Sequence, residues 1–418
     1  MSGMSRSSSR LGTWLRRHRL TLVAALGGAA GVAVAAGWYA PPSARASAPA
    51  APITAAAPTP AEPPHASVRD NVQDTVQIAL LLDTSSSMDG LINQARSQLW
   101  SMIDQMGHMT RQVDGKIRGV KIELALFEYG NDTIPASQGY IRQVLPLTTD
   151  LDLVSEKLHA LFTNGGSEYA GQAIETSVHT LAWSKDPAAM KFIFVAGNET
   201  FDQGPVSAAR AMAAAAKQDI HVQLIYAGDK EPSWEVAARL ASSDLLTIDQ
   251  NRVAVHIASP QDAEILRLST ELNGTYLAYG NEGGAAAARQ ENADQSSARL
   301  SPEVALERAQ LKSKKSYDNA NWDMVDAVAQ NRTFLQDTPD DQLPTALRGK
   351  TLAEKQQIVA GNAARRAELQ ARIAQLEAAR NAYVAAERAR QPAADAPSLG
   401  TEFMKSTRQW AAKKGYRP

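Results

Sequence analysis

Residues 76–87 read VQIALLLDTSSS. The first seven are almost all apolar and have the length and composition of a buried β-strand. Asp83, Ser85 and Ser87 follow at alternate positions, where such a strand would emerge at the edge of a sheet. In open α/β sheets, ligands bind outside the carboxyl ends of the strands. One carboxylate and two hydroxyls at that place suit Mg²⁺, because Mg²⁺ prefers hard oxygen donors and uses few protein ligands.

The region downstream of this strand alternates between strand-like and helix-like patterns. Apolar runs predict strands at residues 75–83, 120–128, 143–147, 191–195 and 221–226. Amphipathic runs predict helices at residues 91–109, 152–161, 170–183, 207–217, 234–241 and 262–272. This alternation predicts an α/β fold over residues 72–280. We expect a doubly wound, mostly parallel sheet with helices on both faces.

Composition sets limits on the function. The 418 residues include 43 basic and 44 acidic side chains, so the net charge of −1 gives no support for a nucleic-acid partner. The chain has no cysteine, which excludes disulfides and thiolate metal or redox chemistry. No P-loop, G-x-S-x-G or H-E-x-x-H motif occurs. The sequence therefore predicts a non-enzymatic protein.

The N-terminal region predicts contact with a membrane. Residues 1–19 are basic, and residues 20–40 form an uncharged run long enough to span a bilayer. The positive-inside rule places residues 1–19 in the cytoplasm and the rest of the chain across the membrane. We favour an uncleaved anchor, and the alternative is a signal segment cleaved near Ala46 or Ala48. Residues 41–70 are rich in Ala and Pro and predict an extended linker.

The C-terminal third is rich in helix formers. Residues 281–298 are rich in Gly, Ala, Gln and Asn and predict a linker loop. Residues 299–392 predict a helical region, and residues 393–418 a C-terminal tail. The longest helix, residues 351–390, carries an apolar stripe at Leu369, Ile373, Leu376, Ala379 and Tyr383. That stripe allows two interpretations: packing within its own domain or hairpin, or self-association as a coiled coil with another chain.

The pattern Asp83-x-Ser85-x-Ser87 after an apolar strand resembles the first motif of the von Willebrand factor A (vWA) domain. In that family the motif belongs to the metal-ion-dependent adhesion site (MIDAS). The resemblance implies that Asp83, Ser85 and Ser87 bind Mg²⁺ or Mn²⁺. The second motif resembles residues 165–171, GGSEYAG, where Ser167 takes the place of the family's Thr. Glu168 is a further oxygen donor or a group behind the ligands.

The third motif of the family departs from the pattern. Its Asp position falls on Gly197, and Asn198 and Glu199 are the candidate replacements. The GGSEY and AGNE segments resemble a bacterial subset of vWA proteins with an N-terminal membrane segment and a helical tail. This resemblance implies a single-pass protein of the bacterial inner membrane with a periplasmic vWA domain. Signal cleavage would instead release the protein.

Three functions are compatible with these residues. The leading hypothesis is a membrane-anchored interaction module, whose bound cation contacts an Asp or Glu carboxylate of a protein partner. The second hypothesis is a metal-independent scaffold of the cell envelope, assembled through residues 351–390. The third is a metal-dependent hydrolase with Glu168 or Glu199 as general base.

Overall fold

The computed structural model describes residues 73–249, 256–390 and 399–417. The predictions for residues 1–19, 20–40 and 41–70, and the cleavage sites at Ala46 and Ala48, lie outside the described residues. None of the helices within the three described ranges is both long enough and apolar enough to cross a bilayer. The described residues belong to one compact unit of the chain, residues 67–418.

Two β-sheets and twelve α-helices occur in the described ranges. The strands are β1 (Asp74–Asp83), β2 (Thr110–Val113), β3 (Lys116–Arg118), β4 (Val120–Tyr129), β5 (Ile141–Thr148), β6 (Met190–Gly197), β7 (His221–Ala227), β8 (Leu246–Ile248) and β9 (Tyr416–Arg417). The first six helices are α1 (Asp89–Gly107), α2 (Leu151–Ala160), α3 (Ala170–Thr180), α4 (Ala208–Lys217), α5 (Pro232–Leu240) and α6 (Asp262–Asn273). The others are α7 (Gly283–Leu300), α8 (Pro302–Lys312), α9 (Met324–Gln330), α10 (Phe334–Asp337), α11 (Leu352–Arg390) and α12 (Leu399–Lys413).

The large sheet has six strands in the order β5-β4-β1-β6-β7-β8. All neighbours are parallel except β5, which is antiparallel to β4 at the edge. In the register of the central strands, Leu80 lies opposite Leu126 on one side and Phe194 on the other. The five predicted strands correspond to β1, β4, β5, β6 and β7. The predicted α/β fold with a mostly parallel sheet is confirmed in this part of the chain.

Helices cover both faces of this sheet, and β1 contributes alternate side chains to two cores. Leu80 and Leu82 pack in the core that includes α1, α2 and α12. Ala79 and Leu81 pack in the core that includes α3, α4 and α5. Burial on both faces explains why β1 is a continuous apolar run rather than an alternating one.

The loop predicted at residues 281–298 is wrong, because this segment forms α7. Its buried face consists of small or amide side chains one turn apart, Ala286, Gln290, Ala293 and Ser297. The helix packs against α2 and α8. Alanine has the highest intrinsic helix propensity, and tertiary packing supplies the remaining stabilisation that the polar composition does not reveal.

The prediction of a C-terminal tail at residues 393–418 is wrong for residues 399–417, which form a helix and a short strand. Here α12 packs on the sheet, and β9 pairs with β2 in a second, three-stranded sheet. The Phe403 ring stacks on Phe194 with 4.0 Å between centroids, and Trp410 stacks on His221 at 4.7 Å. The apolar side chains of α12 recur every third or fourth residue, which is the signal that identifies such a helix in a sequence.

The apolar stripe of α11 packs within the same chain. Leu369 and Ile373 share a buried cluster with Ile265, Leu268 and Leu272 of α6. Arg366 of α11 is buried and binds the carboxylates of Asp323 and Asp326 at 2.8 and 2.6 Å. The predicted helix at residues 351–390 therefore forms, and its stripe contributes to an intramolecular core. Self-association through this helix stays a prediction.

A buried ionic group joins the helical region to the α/β region. Arg308 of α8 is 1% exposed and contacts carboxylate oxygens of Asp152 in α2 and Asp294 in α7, both at 2.8 Å. Its guanidinium also lies 4.4 Å from the ring centroid of Trp100 in α1. One cation thus links four helices.

We expect Arg308→Leu to lower the free energy of unfolding by about 3–5 kcal/mol, because it leaves the buried carboxylate of Asp152 without its cation, whereas Asp294 keeps Lys312. Chemical denaturation of the full chain in detergent micelles measures this. The control is Arg267→Leu, since Arg267 makes its ion pairs on an exposed surface and should change stability little. An equal effect of the two substitutions would contradict the assignment.

The contact between α12 and β7 should weaken in acid. Burial, followed by the charge of Lys413, lowers the pKa of His221 to about 4. In an unfolded chain the pKa of histidine is about 6.5, so the unfolded state binds more protons between these values. The contribution of neutral His221 to the free energy of unfolding is therefore complete above pH 6.5 and is lost as the pH falls towards 4. His221→Phe should be less sensitive to acid in this window, as judged by melting temperature at pH 7 and pH 5; an identical loss in both proteins would exclude His221 as the cause.

Candidate functional site

The polar sequence after β1 lies at the carboxyl edge of the large sheet, between β1 and β6. The chain runs outward from β1 to β4 and β5 on one side and continues through β6, β7 and β8 on the other. The point between β1 and β6 is therefore the topological switch point, where doubly wound sheets bind their ligands. Asp83 and Gly197, the last residues of β1 and β6, lie there.

Asp83 is fully buried. Its Oδ1 atom accepts a hydrogen bond from the backbone N–H of Ser85 at 2.7 Å. Its Oδ2 atom is buried and receives no N–H or hydroxyl donor from any described residue. A buried carboxylate oxygen without a hydrogen-bond donor is destabilising, and a proton or a cation bound to this atom would remove that penalty.

Ser85, Ser87 and Asn198 form a connected polar group beside Asp83. The two serine Oγ atoms are 3.4 Å apart, and Asn198 Nδ2 donates to Ser87 Oγ at 2.9 Å. The Tyr226 hydroxyl donates to the main-chain oxygen of Asn198 at 2.7 Å, which fixes the loop after β6. Asn198 Oδ1 is buried and has no donor among the described residues. The predicted ligands Ser85, Ser87 and Asn198 thus lie together.

Glu168 lies beside Asp83. Its side chain is buried, and its carboxyl group interacts electrostatically with that of Asp83. Burial, followed by the charge of Glu168, raises the pKa of Asp83 well above its ordinary value. Burial also raises the pKa of Glu168. Two carboxyl groups in contact cannot both be ionised at low energy, so they share a proton or bind a cation.

Ser167 is half-buried and makes no hydrogen bond to Asp83, Ser85 or Ser87 in the described part of the chain. Its neighbour Gly166 explains the path of the loop, because a Cβ atom there would lie 2.6 Å from the backbone oxygen of Gly130. The loop is therefore pressed against the end of β4. The role of Ser167 as a ligand stays a prediction.

Gly197 has no room for the carboxylate that the vWA pattern places there. A Cβ atom at Gly197 would lie 2.5 Å from the Tyr129 hydroxyl and 3.3 Å from Asp83 Oδ2. Tyr129 ends β4, directly opposite Asp83 in the register, and its hydroxyl donates to Ala196 O at 2.9 Å. Burial, then the charges of Asp83 and Glu168, raises the pKa of Tyr129, so the phenol stays protonated. Sequence reasoning missed Tyr129, which lies one residue beyond the predicted strand.

Glu199 supports the loop through its backbone. Its carbonyl accepts a hydrogen bond from Trp234 Nε1 at 2.6 Å. The Glu199 side chain is exposed. The structure therefore places Glu199 at the rim of the site, whereas Asn198 lies within it.

The side-chain atoms at this edge that could bind a metal ion are oxygens. Within the described ranges, no three His, Cys, Asp or Glu side chains come together as a group that could hold a metal ion. A cation at Asp83 would depend on the Asp83 and Glu168 carboxyl groups, the serine hydroxyls, the Asn198 amide oxygen and water. This donor set suits Mg²⁺ or Mn²⁺, which accept mixed oxygen ligands.

Comparisons with known proteins found no matching family model and no matching curated protein. Solved structures with partial similarity include proximal thread matrix protein 1 from the mussel byssus, at 13% identity and a TM-score of 0.31. This match covers 42% of the present chain and 41% of the mussel protein. A second structure of that protein, with a zinc-occupied MIDAS motif, gives 13% identity, 42% and 41% coverage, and a TM-score of 0.32.

The VWA domain of SpRpn10 is also similar, at 14% identity with a TM-score of 0.32, over 42% of this chain and 88% of that domain. The present chain spans less than half the length of the mussel protein. The assignment of the fold rests on the strand order and register of this chain itself. These define a doubly wound α/β protein with a polar site at its switch point.

We expect Gly197→Ala to lower the free energy of unfolding by about 1–3 kcal/mol, because the added methyl group collides with Tyr129. In a Tyr129→Phe background the hydroxyl is absent, and the penalty of the alanine should shrink. A double-mutant cycle measured by thermal or chemical unfolding gives this coupling. Equal penalties in the two backgrounds would show that Tyr129 does not occupy the space.

Proposed function

We propose that the chain is a non-enzymatic protein-interaction module of the vWA type with a MIDAS-like cation site. The N-terminal residues 20–40 would anchor it in the bacterial inner membrane, with the α/β region in the periplasm. The strand order and the position of the polar site at the switch point support this proposal. The absence of common hydrolase motifs from the sequence agrees with a binding role.

The observation that carries the proposal is the unsatisfied Oδ2 atom of Asp83. It is buried at the end of the central strand, beside a second carboxyl group and a pair of hydroxyls. A divalent cation would stabilise this arrangement by replacing the shared proton with positive charge. Without a cation or proton, the site would contain two adjoining negative charges.

Asp83, Ser85 and Ser87 would hold Mg²⁺ or Mn²⁺, and Glu168 would supply the second carboxylate. In this arrangement Glu168 compensates for the side chain that Gly197 lacks. Asn198 would keep Ser87 in place through its hydrogen bond to the serine hydroxyl. A bound cation supplies positive charge that can attract an Asp or Glu carboxylate of a partner protein. The surrounding loops would decide which partner binds.

Titration of the full chain in detergent micelles with Mn²⁺ tests the proposal directly. We expect saturable binding by calorimetry and a higher melting temperature. A cation present at about 100 times its Kd stabilises the folded state by about 2.7 kcal/mol. Asp83→Asn should abolish both effects while leaving the metal-free protein folded, because asparagine keeps the oxygen that accepts from Ser85 and removes one of two adjoining carboxyl groups.

The matched control is Asp114→Asn in the exposed turn between β2 and β3. This turn belongs to the small sheet, which is attached by the Arg111–Asp74 ion pair at the amino end of β1 and thus lies away from the site. Unchanged Mn²⁺ binding in Asp114→Asn and its loss in Asp83→Asn would support the proposal. Absence of binding in the unmodified protein would refute it.

A further inference from the structure

Phe162 is a large apolar side chain that the core does not use. It belongs to the loop between α2 and α3 and is 54% exposed. The loop itself is held in place, because the Phe162 carbonyl accepts a hydrogen bond from buried Asn131 Nδ2 at 3.0 Å. A fixed backbone that presents an exposed aromatic ring next to a polar site is typical of a binding surface.

Exposed carboxylates flank Phe162 on both sides of its loop. Thr163 Oγ1 donates to Asp89 Oδ1 at 2.6 Å, which ties the loop to the first turn of α1. On the other side, the Asp132 N–H donates to Gly165 O at 2.5 Å. Asp132 Oδ2 and Ser86 Oγ lie 3.5 and 3.6 Å from the position of a Cβ atom at Gly165. Both Asp89 and Asp132 are exposed.

Negative charge continues across the site to the loops after β6 and β7. Burial, then the charges of nearby carboxylates, raises the pKa of Tyr226; these carboxylates are Glu231, Glu199, Glu168 and Asp229. Between the two acidic sides lies buried Asp83, whose Oδ2 atom lacks a donor among the described residues. Lys230, between Asp229 and Glu231, offsets part of this charge, and the remaining carboxylates favour a basic segment over an acidic one.

Two arginines of the surrounding elements are already engaged. The Arg96 guanidinium donates to the carbonyls of Leu158, His159 and Leu161 at the end of α2. Arg142 pairs with Glu128. These contacts satisfy backbone oxygens and a buried carboxylate, so they do not place a cation on the Phe162 ring.

We propose that Phe162, Asp89 and Asp132 form a subsite for a Lys or Arg side chain of the partner, beside the cation site at Asp83. The ring offers its negative face to a cation, and the two carboxylates add charge attraction. This inference rests on the proposed function and specifies its partner. The partner segment would carry an Asp or Glu for the bound metal and basic residues next to it. A segment flanked by acidic residues would be rejected by Asp89, Asp132 and Glu199.

Three fluorescein-labelled peptides test this with the full chain in detergent micelles and Mn²⁺. They have the sequences GGRRDRRGG, GGEEDEEGG and GGRRNRRGG. By fluorescence anisotropy at an ionic strength of about 0.05 M, the Arg-flanked Asp peptide should bind at least about 10-fold more tightly than the Glu-flanked peptide. The difference should shrink at about 0.5 M salt. Equal or tighter binding of the Glu-flanked peptide, or no binding of the Arg-flanked Asp peptide at about 1 mM, would overturn the proposal.

Substitutions locate the subsite. Phe162→Ala and the pair Asp89→Asn/Asp132→Asn should each weaken binding of both Arg-flanked peptides by about 5- to 10-fold, with unchanged Mn²⁺ affinity and melting temperature. The matched controls are Ile117→Ala, which removes a 77% exposed apolar side chain on β3, and Asp114→Asn. Equal loss for the Arg-flanked and Glu-flanked peptides in Phe162→Ala would overturn the cation subsite.

The peptide GGRRNRRGG and direct Mn²⁺ titration separate the two proposals. If Mn²⁺ does not bind the protein, the cation site fails whatever the peptides do. If Mn²⁺ binds and Phe162→Ala leaves every peptide affinity unchanged, the basic subsite alone fails. If the Asp and Asn peptides bind equally and both depend on Phe162, the subsite stands and the metal–carboxylate contact fails.

Discussion

The position of Asp83 depends on the complete enclosure of β1. This strand has a parallel neighbour on each side, and its side chains are buried in a core on each face. Its carboxyl end therefore places the Asp83 carboxyl group in a region shielded from water. A charge there is destabilising unless an opposite charge or hydrogen bonds compensate for it. The neighbouring groups reduce the cost of burying this carboxyl group. The Ser85 amide satisfies one oxygen, Glu168 adjoins the group, and Tyr129 fills the space at Gly197.

The fold contains two solutions to the burial of carboxyl groups. Around Arg308, the carboxylates of Asp152 and Asp294 are matched by a cation that belongs to the chain. Around Asp83, the neighbours are another carboxyl group, hydroxyls and amides, and no described side chain supplies a positive charge. The first arrangement is complete in itself and joins helices. The second lacks such a cation, and this contrast distinguishes a structural cluster from a candidate binding site.

The parts of the fold that follow from sequence are those whose signal is local. The strands β1, β4 and β6 are apolar runs because both faces are buried, so their residues identify them directly. By contrast, α7 consists of small and polar residues whose burial depends on α2 and α8. The local sequence does not predict these contacts with other helices. At the site, Asp83, Ser85 and Ser87 could be named from spacing alone. The contact of Glu168 with Asp83 could not, because Gly165 and Gly166 leave the backbone of that loop with many accessible conformations. Tyr129 depends on strand register, which only the assembled sheet reveals.

The covering of one sheet face by α12 has a consequence for the order in which the protein is made. The sheet is complete in sequence at Ile248, but the aromatic contacts on Phe194 and His221 come from residues beyond 399. The whole helical region must therefore leave the ribosome before this face is closed. Contacts between such distant segments form slowly, since the intervening chain must first be ordered. Until then the nascent α/β region exposes an aromatic surface, and any factor that accompanies its synthesis would meet that surface first.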